Sequence, residues 1–167
     1  MWRPSVVAAM AYGYGVAVTA LQLVHAYCVL ANHGIKQPVT LLKREKPTLG
    51  VRVIPAKIAD TVIHMLESVL QKGGTGTRAR IHGYRVAGKT GTAYVAGGPN
   101  GYYKDRYVSS FVGVAPASNP QLVVGVVLFE PQGHHFGAIV AAPAFAKVMA
   151  GSLRLLNIAP DETTMPS

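Results

Sequence analysis

Val86-Ala87-Gly88-Lys89-Thr90-Gly91-Thr92-Ala93 is the stretch on which the fold of this chain turns. It sets one lysine, two threonines and two glycines inside a run, Ile81 to Val95, rich in strand-favouring residues. On a strand, Lys89 offers a cation to a substrate carboxylate and Thr90 a hydroxyl beside it. Gly91 lets a substrate backbone lie close. The pattern predicts a ligand-binding strand over about residues 84–95.

The same residues satisfy a second pattern. Gly83 to Thr90 has the spacing G-x-x-x-x-G-K-T of a phosphate-binding loop. That motif works between a strand and a helix, where backbone N–H groups and the helix N-terminus hold phosphate. Here Tyr84-Arg85-Val86-Ala87 is strand-prone, and Gly91 to Pro99 cannot begin a helix of useful length. Val126 to Glu130, an apolar run ending in an acid, would be the motif's metal-side partner, but such runs are common at strand ends. The strand is therefore preferred to nucleotide binding, and also to a surface hairpin with a stray lysine.

Composition bounds the rest. The 167 residues suit one domain. Half are hydrophobic and only 14% are charged, with a mean hydropathy of +0.27. A complete domain this small needs more polar surface, so apolar faces are expected to be covered by chain outside this sequence. Membrane insertion competes as an explanation. Val16 to Ala31 is apolar but is interrupted by Thr19, Gln22 and His25, and falls short of the ~20 clean residues of a span. A buried helix is preferred, also over a signal peptide, because Gly13 and Gly15 break the apolar run.

The net charge is +9. Basic residues spread over 36–57, 72–89 and 104–106 without stacking aromatics, so nucleic acid is not expected. An anionic polymer, an anionic membrane surface or a carboxylate substrate fits the charge. Cys28, the sole cysteine, reads as a core thiol. His134 and His135 have no partners at metal-ligand spacing, and His64 and Glu67 read as a solvated pair on a helix. No metal and no cofactor are expected.

Along the chain, Trp2 to Gly15 reads as a loop. A helix follows at about 19–32, opened by a Thr19/Gln22 capping box and stopped by Gly34. Pro38 to Lys46 reads as a strand with a basic end, and 47–50 as a turn. Pro55 opens a helix to about Gln71, and Lys72 to Thr77 breaks it. Two more strands follow at about 107–115 and 122–129, then a helix at about 142–156. Short connections favour antiparallel neighbours. The class is α+β: an antiparallel sheet of three C-terminal strands, covered by helices.

In that order the motifs resemble the C-terminal part of the transpeptidase domain of class B penicillin-binding proteins, specifically the division-specific enzymes. The resemblance rests on Tyr12-Gly13-Tyr14-Gly15, Val18 to Leu23, Gly74-Thr75-Gly76, Val86 to Ala93, Phe111 to Ala117 and Ala142-Pro143-Ala144-Phe145. Penicillin-reactive serine enzymes carry Ser-x-x-Lys and Ser-x-Asn besides Lys-Thr-Gly. Ser5, Ser68, Ser109, Ser110, Ser118 and Ser152 match neither. The resemblance therefore implies that residues 1–167 are the C-terminal portion of a serine β-lactamase-like domain, lacking the half with the nucleophile. It implies an enzyme that joins peptidoglycan stem peptides through an acyl-serine at the division septum, and that binds β-lactams. Lys89 and Thr92 would be catalytic; Thr90, Gly91 and Thr92 would bind substrate. The partners implied are the missing half and division-complex membrane proteins, at the periplasmic face of the inner membrane. The competing class is a catalytically silent substrate- or partner-binding module.

Overall fold

Three runs rich in valine, threonine and aromatic residues pair into one antiparallel sheet in the computed structural model, which describes residues 3–46, 48–97 and 101–162. They are β3 (Ala87–Ala96), β4 (Tyr102–Ala115) and β5 (Leu122–Phe129), in the order β3-β4-β5. Among the described residues β3 is an edge strand. Two shorter strands, β1 (Ile35–Lys36) and β2 (Val51–Arg52), form a separate pair. The fold is α+β, as the sequence implies.

Pairing fixes which side chains share a face. Thr90 lies opposite Phe111 and Thr92 opposite Ser109; Lys89 lies opposite Val112 and Gly91 opposite Ser110. The Phe111 face packs on α5 (Ala142–Leu155), burying Phe111, Phe145, Met149 and Leu153 completely. Each such side chain contributes about 1.5–3 kcal/mol. Two glycines make room for the rings, whose centroids are 4.7 Å apart. A Cβ on Gly88 would sit 2.7 Å from the Phe111 ring, and one on Gly113 would sit 2.6 Å from Phe145. On the other face, Ala87, Val114 and Val123 meet Ile63 of α3 (Ala56–Glu67) and Tyr27 and Leu30 of α2 (Ala20–Ala31).

Both bonds of the capping box form: Gln22 N–H donates to Thr19 Oγ1 at 3.1 Å, and Thr19 N–H to Gln22 Oε1 at 2.9 Å. Gly34 ends α2 with φ +81°. The helix is not buried as expected. Only Val29 is buried in it, and Leu21 is 60% exposed, because neither the sheet nor α3 covers its first turn. Cys28 is accordingly half-buried rather than in the core, and burial pushes its thiol pKa up.

Other boundaries differ for physical reasons. The expected N-terminal loop holds a helix, α1 (Pro4–Ala11), with proline at its first turn and no glycine before Gly13. Trp2 lies outside the described residues. The strand expected over Pro38 to Lys46 is absent: Pro38 has no N–H for a ladder, and the Thr40 hydroxyl accepts from Leu42 N at 3.1 Å, folding a turn there instead. Pro47 of the expected turn also lies outside the described residues. β4 begins earlier than expected, because Tyr102 pairs with Ala96 across a register shift. β3 begins later, because Gly83, at φ +79°, turns the chain within an Ile81–Tyr84 bridge.

The C-terminal tail returns to this same corner. Tyr84 Oη donates to Ile158 O at 2.6 Å, and Asp161 accepts from Arg85 N at 2.7 Å and from Ser118 Oγ at 2.5 Å. Gly137–Leu155 is long and apolar enough to cross a membrane by composition alone. Its Ala142, Phe145, Met149 and Leu153 are buried beneath the sheet, while Val148 and Leu155 stay exposed.

Candidate active site

Lys89 stands exposed on β3, two residues into the strand. Its Nζ donates to Thr90 O at 3.1 Å and lies 3.4 Å from Thr90 Oγ1. Among the described residues no carboxylate pairs with it. Alternation puts Lys89 and Gly91 on one face of β3, Thr90 and Thr92 on the other. A ligand lying along the open edge meets both sets. In water a lysine–carboxylate pair at 4 Å is worth about 1 kcal/mol, and about 4 kcal/mol where solvent is partly excluded. Carboxylate capture here therefore gains from anything that covers the edge.

The sequence carries Gly74-Thr75-Gly76 to the site by a route its local pattern does not reveal. Thr75 Oγ1 lies 3.1 Å from Thr90 Oγ1, extending the row Lys89–Thr90 by one hydroxyl. The flanking glycines do more than break a helix. A Cβ on Gly74 would sit 2.2 Å from Val69 O, and one on Gly76 3.0 Å from the Phe111 ring. Glycine at 74 lets the turn fold back on Val69, and glycine at 76 lets it pack against the Phe111 ring.

Thr92 is held from the far side. Its Oγ1 accepts from Gly137 N–H at 3.1 Å. With that lone pair occupied, its own O–H is directed elsewhere and remains a donor. Gly137 opens α4 (Gly137–Val140), and a Cβ there would lie 2.4 Å from Ser110 O and 2.5 Å from Gly91 O. Ser109, fully buried, donates from Oγ to His135 O. These two contacts clamp the His134–Gly137 loop against the sheet. His135 stacks on Tyr107 with centroids 4.0 Å apart, and Tyr107 packs on Tyr94 at 4.9 Å. An aromatic row thus continues past Thr92. The loop histidine is a stacking residue, a role that its sequence neighbours do not signal.

Gly91 has a packing reason besides any ligand: a Cβ there would meet Ser110 Oγ at 2.4 Å. The His64–Glu67 pair is also more than a solvated contact. Glu67, 15% exposed, accepts His64 Nδ1 at 2.9 Å and two bonds from Arg85 at 2.9 Å, beside a cavity of about 340 Å³. Among the described residues no group of three His, Cys, Asp or Glu is arranged for a metal.

Four serine hydroxyls, those of Ser68, Ser109, Ser118 and Ser152, each donate to a backbone or carboxylate oxygen. Lys89 and Thr90 lie within β3, and the next element among the described residues is β4 rather than a helix, which is not the geometry of a phosphate loop.

The family model for the penicillin-binding protein transpeptidase domain matches residues 2–150. The chain is 44% identical over 164 residues to the peptidoglycan D,D-transpeptidase FtsI of Escherichia coli, covering 98% of this chain and 28% of that protein. It is 40% identical over 163 residues to the probable peptidoglycan D,D-transpeptidase PenA of Neisseria gonorrhoeae, covering 95% and 27%. The apo transpeptidase-domain structure of Burkholderia pseudomallei penicillin-binding protein 3 superposes with a TM-score of 0.88 at 44% identity, over 99% of this chain and 50% of that one. The chain thus spans just over a quarter of these curated relatives and half of the solved domain.

Proposed function

The chain belongs to the penicillin-binding protein transpeptidase family, and from that premise we propose that it is the substrate-holding C-terminal part of a peptidoglycan D,D-transpeptidase domain. The observation that carries this is Lys89 on an open strand edge, exposed, without a carboxylate partner among the described residues and flanked by Thr90 and Thr92. The donor is a stem peptide ending in two D-alanines. Lys89 and the Thr90 and Thr92 hydroxyls hold its terminal carboxylate, and its backbone runs along β3 past Gly91 as an added strand.

A serine from the N-terminal half of the domain attacks the penultimate carbonyl. Thr92 N–H is one of two donors to the developing oxyanion, worth about 3 kcal/mol of barrier. The terminal D-alanine leaves with the proton on its amine. An amine of a second stem peptide then attacks the acyl-serine, forming the cross-link and freeing the hydroxyl. A β-lactam follows the first half of this path and stops. The work is placed at the septum, on the periplasmic face of the inner membrane, with division-complex membrane proteins as partners.

A second reading, a silent module that holds carboxylates without acylation, is favoured by the sequence, in which none of Ser5, Ser68, Ser109, Ser110, Ser118 and Ser152 has a lysine three residues on. Fluorescent penicillin separates the two. With the N-terminal half of the domain supplied, the wild-type chain is expected to support labelling. Lys89→Ala should slow labelling about 100-fold or more while the fold persists; Thr90→Ala, losing one neutral hydroxyl, should slow it less. Equal rates for wild type and Lys89→Ala would defeat the assignment.

A further inference from the structure

The site leaves one conspicuous surface unused. The connection from β1 to β2 exposes Leu41 and Leu42 by 100% and 79%, and Leu49, close to the start of β2, by 93%. Lys43, Arg44 and Lys46 lie between Leu42 and Leu49 in sequence, and residues 36–57 hold six basic side chains against one acid, Glu45. The connection is built rather than slack. Thr40 Oγ1 caps Leu42 N at 3.1 Å, Arg44 Nη1 donates to Thr48 Oγ1 at 3.0 Å, and His25 Nε2 meets Gln37 O at 2.7 Å at the neck.

We propose that this connection docks on an anionic phospholipid bilayer, the leucines entering the acyl boundary and the basic side chains resting at the phosphates. A soluble polyanion would satisfy the cations and leave the leucines in water. A protein groove would take leucines, yet it gives no reason for Lys43, Arg44 and Lys46 in the same short loop. An anionic bilayer accounts for both, because apolar insertion and charge attraction add in one interface. A fully exposed leucine projects clear of the molecule, so it can insert without stripping water from the chain's own polar groups. The proposal goes beyond the transpeptidase reading and uses none of its residues, so either can fail alone.

The test is co-sedimentation of the full chain with vesicles of phosphatidylcholine plus phosphatidylglycerol, and of phosphatidylcholine alone. Binding to the anionic vesicles should be roughly tenfold stronger or more, and should weaken with salt. Leu41→Ser/Leu42→Ser/Leu49→Ser should lower it about tenfold. Lys43→Glu/Arg44→Glu should reduce it to the phosphatidylcholine level. These positions are exposed, so circular dichroism should match wild type in both variants. Three outcomes would overturn the proposal. One is equal binding to the two vesicle types. Another is a leucine variant that binds vesicles as wild type does, with polyphosphate binding likewise unchanged, which would make the connection a polyanion reader. The third is vesicle binding that disappears once the N-terminal half of the domain is assembled, which would show that protein covers the leucines.

Discussion

Gly91 and Gly137 touch the same stretch of β3, yet their substitution should differ sharply. A methyl on Gly91 meets only Ser110 Oγ, at 2.4 Å, with the next atom 3.8 Å away. A hydroxyl can rotate aside, so Gly91→Ala should cost under about 1 kcal/mol. A methyl on Gly137 meets two backbone carbonyl oxygens, at 2.4 and 2.5 Å, which can yield only by moving β3 and β4. Gly137→Ala should cost about 2–3 kcal/mol. Urea unfolding of the two variants checks the order, and similar losses would show that the loop yields instead. This contrast marks the limit of what the sequence tells. Lys89, Thr90, Gly91 and Thr92 are adjacent, and strand periodicity alone assigns them their faces. The Thr75, Ser109 and Gly137 contacts reach across 15, 26 and 45 residues, and no local pattern encodes such distances. A second prediction concerns alkaline pH. Burial raises the pKa of Cys28 and Tyr27, and a hydrogen bond with Tyr94 is the main cause that raises that of Tyr107. Each shift favours the protonated form in the folded chain, so its stabilisation is complete below the unfolded value and is lost as pH rises. The urea midpoint should hold from pH ~7 to ~8 and fall above ~8.5; in Cys28→Ala the fall should start nearer pH ~10. A midpoint that climbs over this range would contradict the assignment.

At the scale of elements, α2 starts where two short-range bonds say it should. Thr19→Ala removes the side-chain bond to Gln22 N and undoes the reciprocal box, so it should cost about 1 kcal/mol. Gln22→Ala leaves the threonine bond intact and should cost less. Thermal unfolding of the pair tests this, and a larger loss for Gln22→Ala would mean that packing rather than capping starts the helix. Capping boxes are legible because partner and donor lie three residues apart. Residues 38–46 form no strand for the complementary reason. Their aliphatic side chains suit a strand, but a strand needs a neighbour, and Pro38 and the Thr40 turn deny it one. The helix over Pro4–Ala11 lacked any polar cap to announce it: Arg3 makes no capping bond.

The molecule as a whole exposes more apolar surface than its own elements can cover. A groove of about 760 Å³ runs between residues 13–23 and the sheet face of Val108, Val127 and Phe129. If this groove receives the other half of the domain, the chain alone should form no covalent adduct with a β-lactam and should self-associate. Mass spectrometry should find an unchanged mass, and light scattering should find species larger than one chain that disperse when the other half is added. A stoichiometric adduct on any serine, or a monodisperse monomer, would count against the shared-domain reading. The tail beyond α5 has a consequence for anyone cutting the gene. The family match ends at residue 150, but the carbonyl of Ile158 and the carboxylate of Asp161 buckle the corner from which β3 departs. A piece trimmed to that boundary would still encode the lysine and both threonines. It would also have lost the fastening that sets where their strand takes off, so a weak ligand response from such a piece would say more about the trimming than about the site.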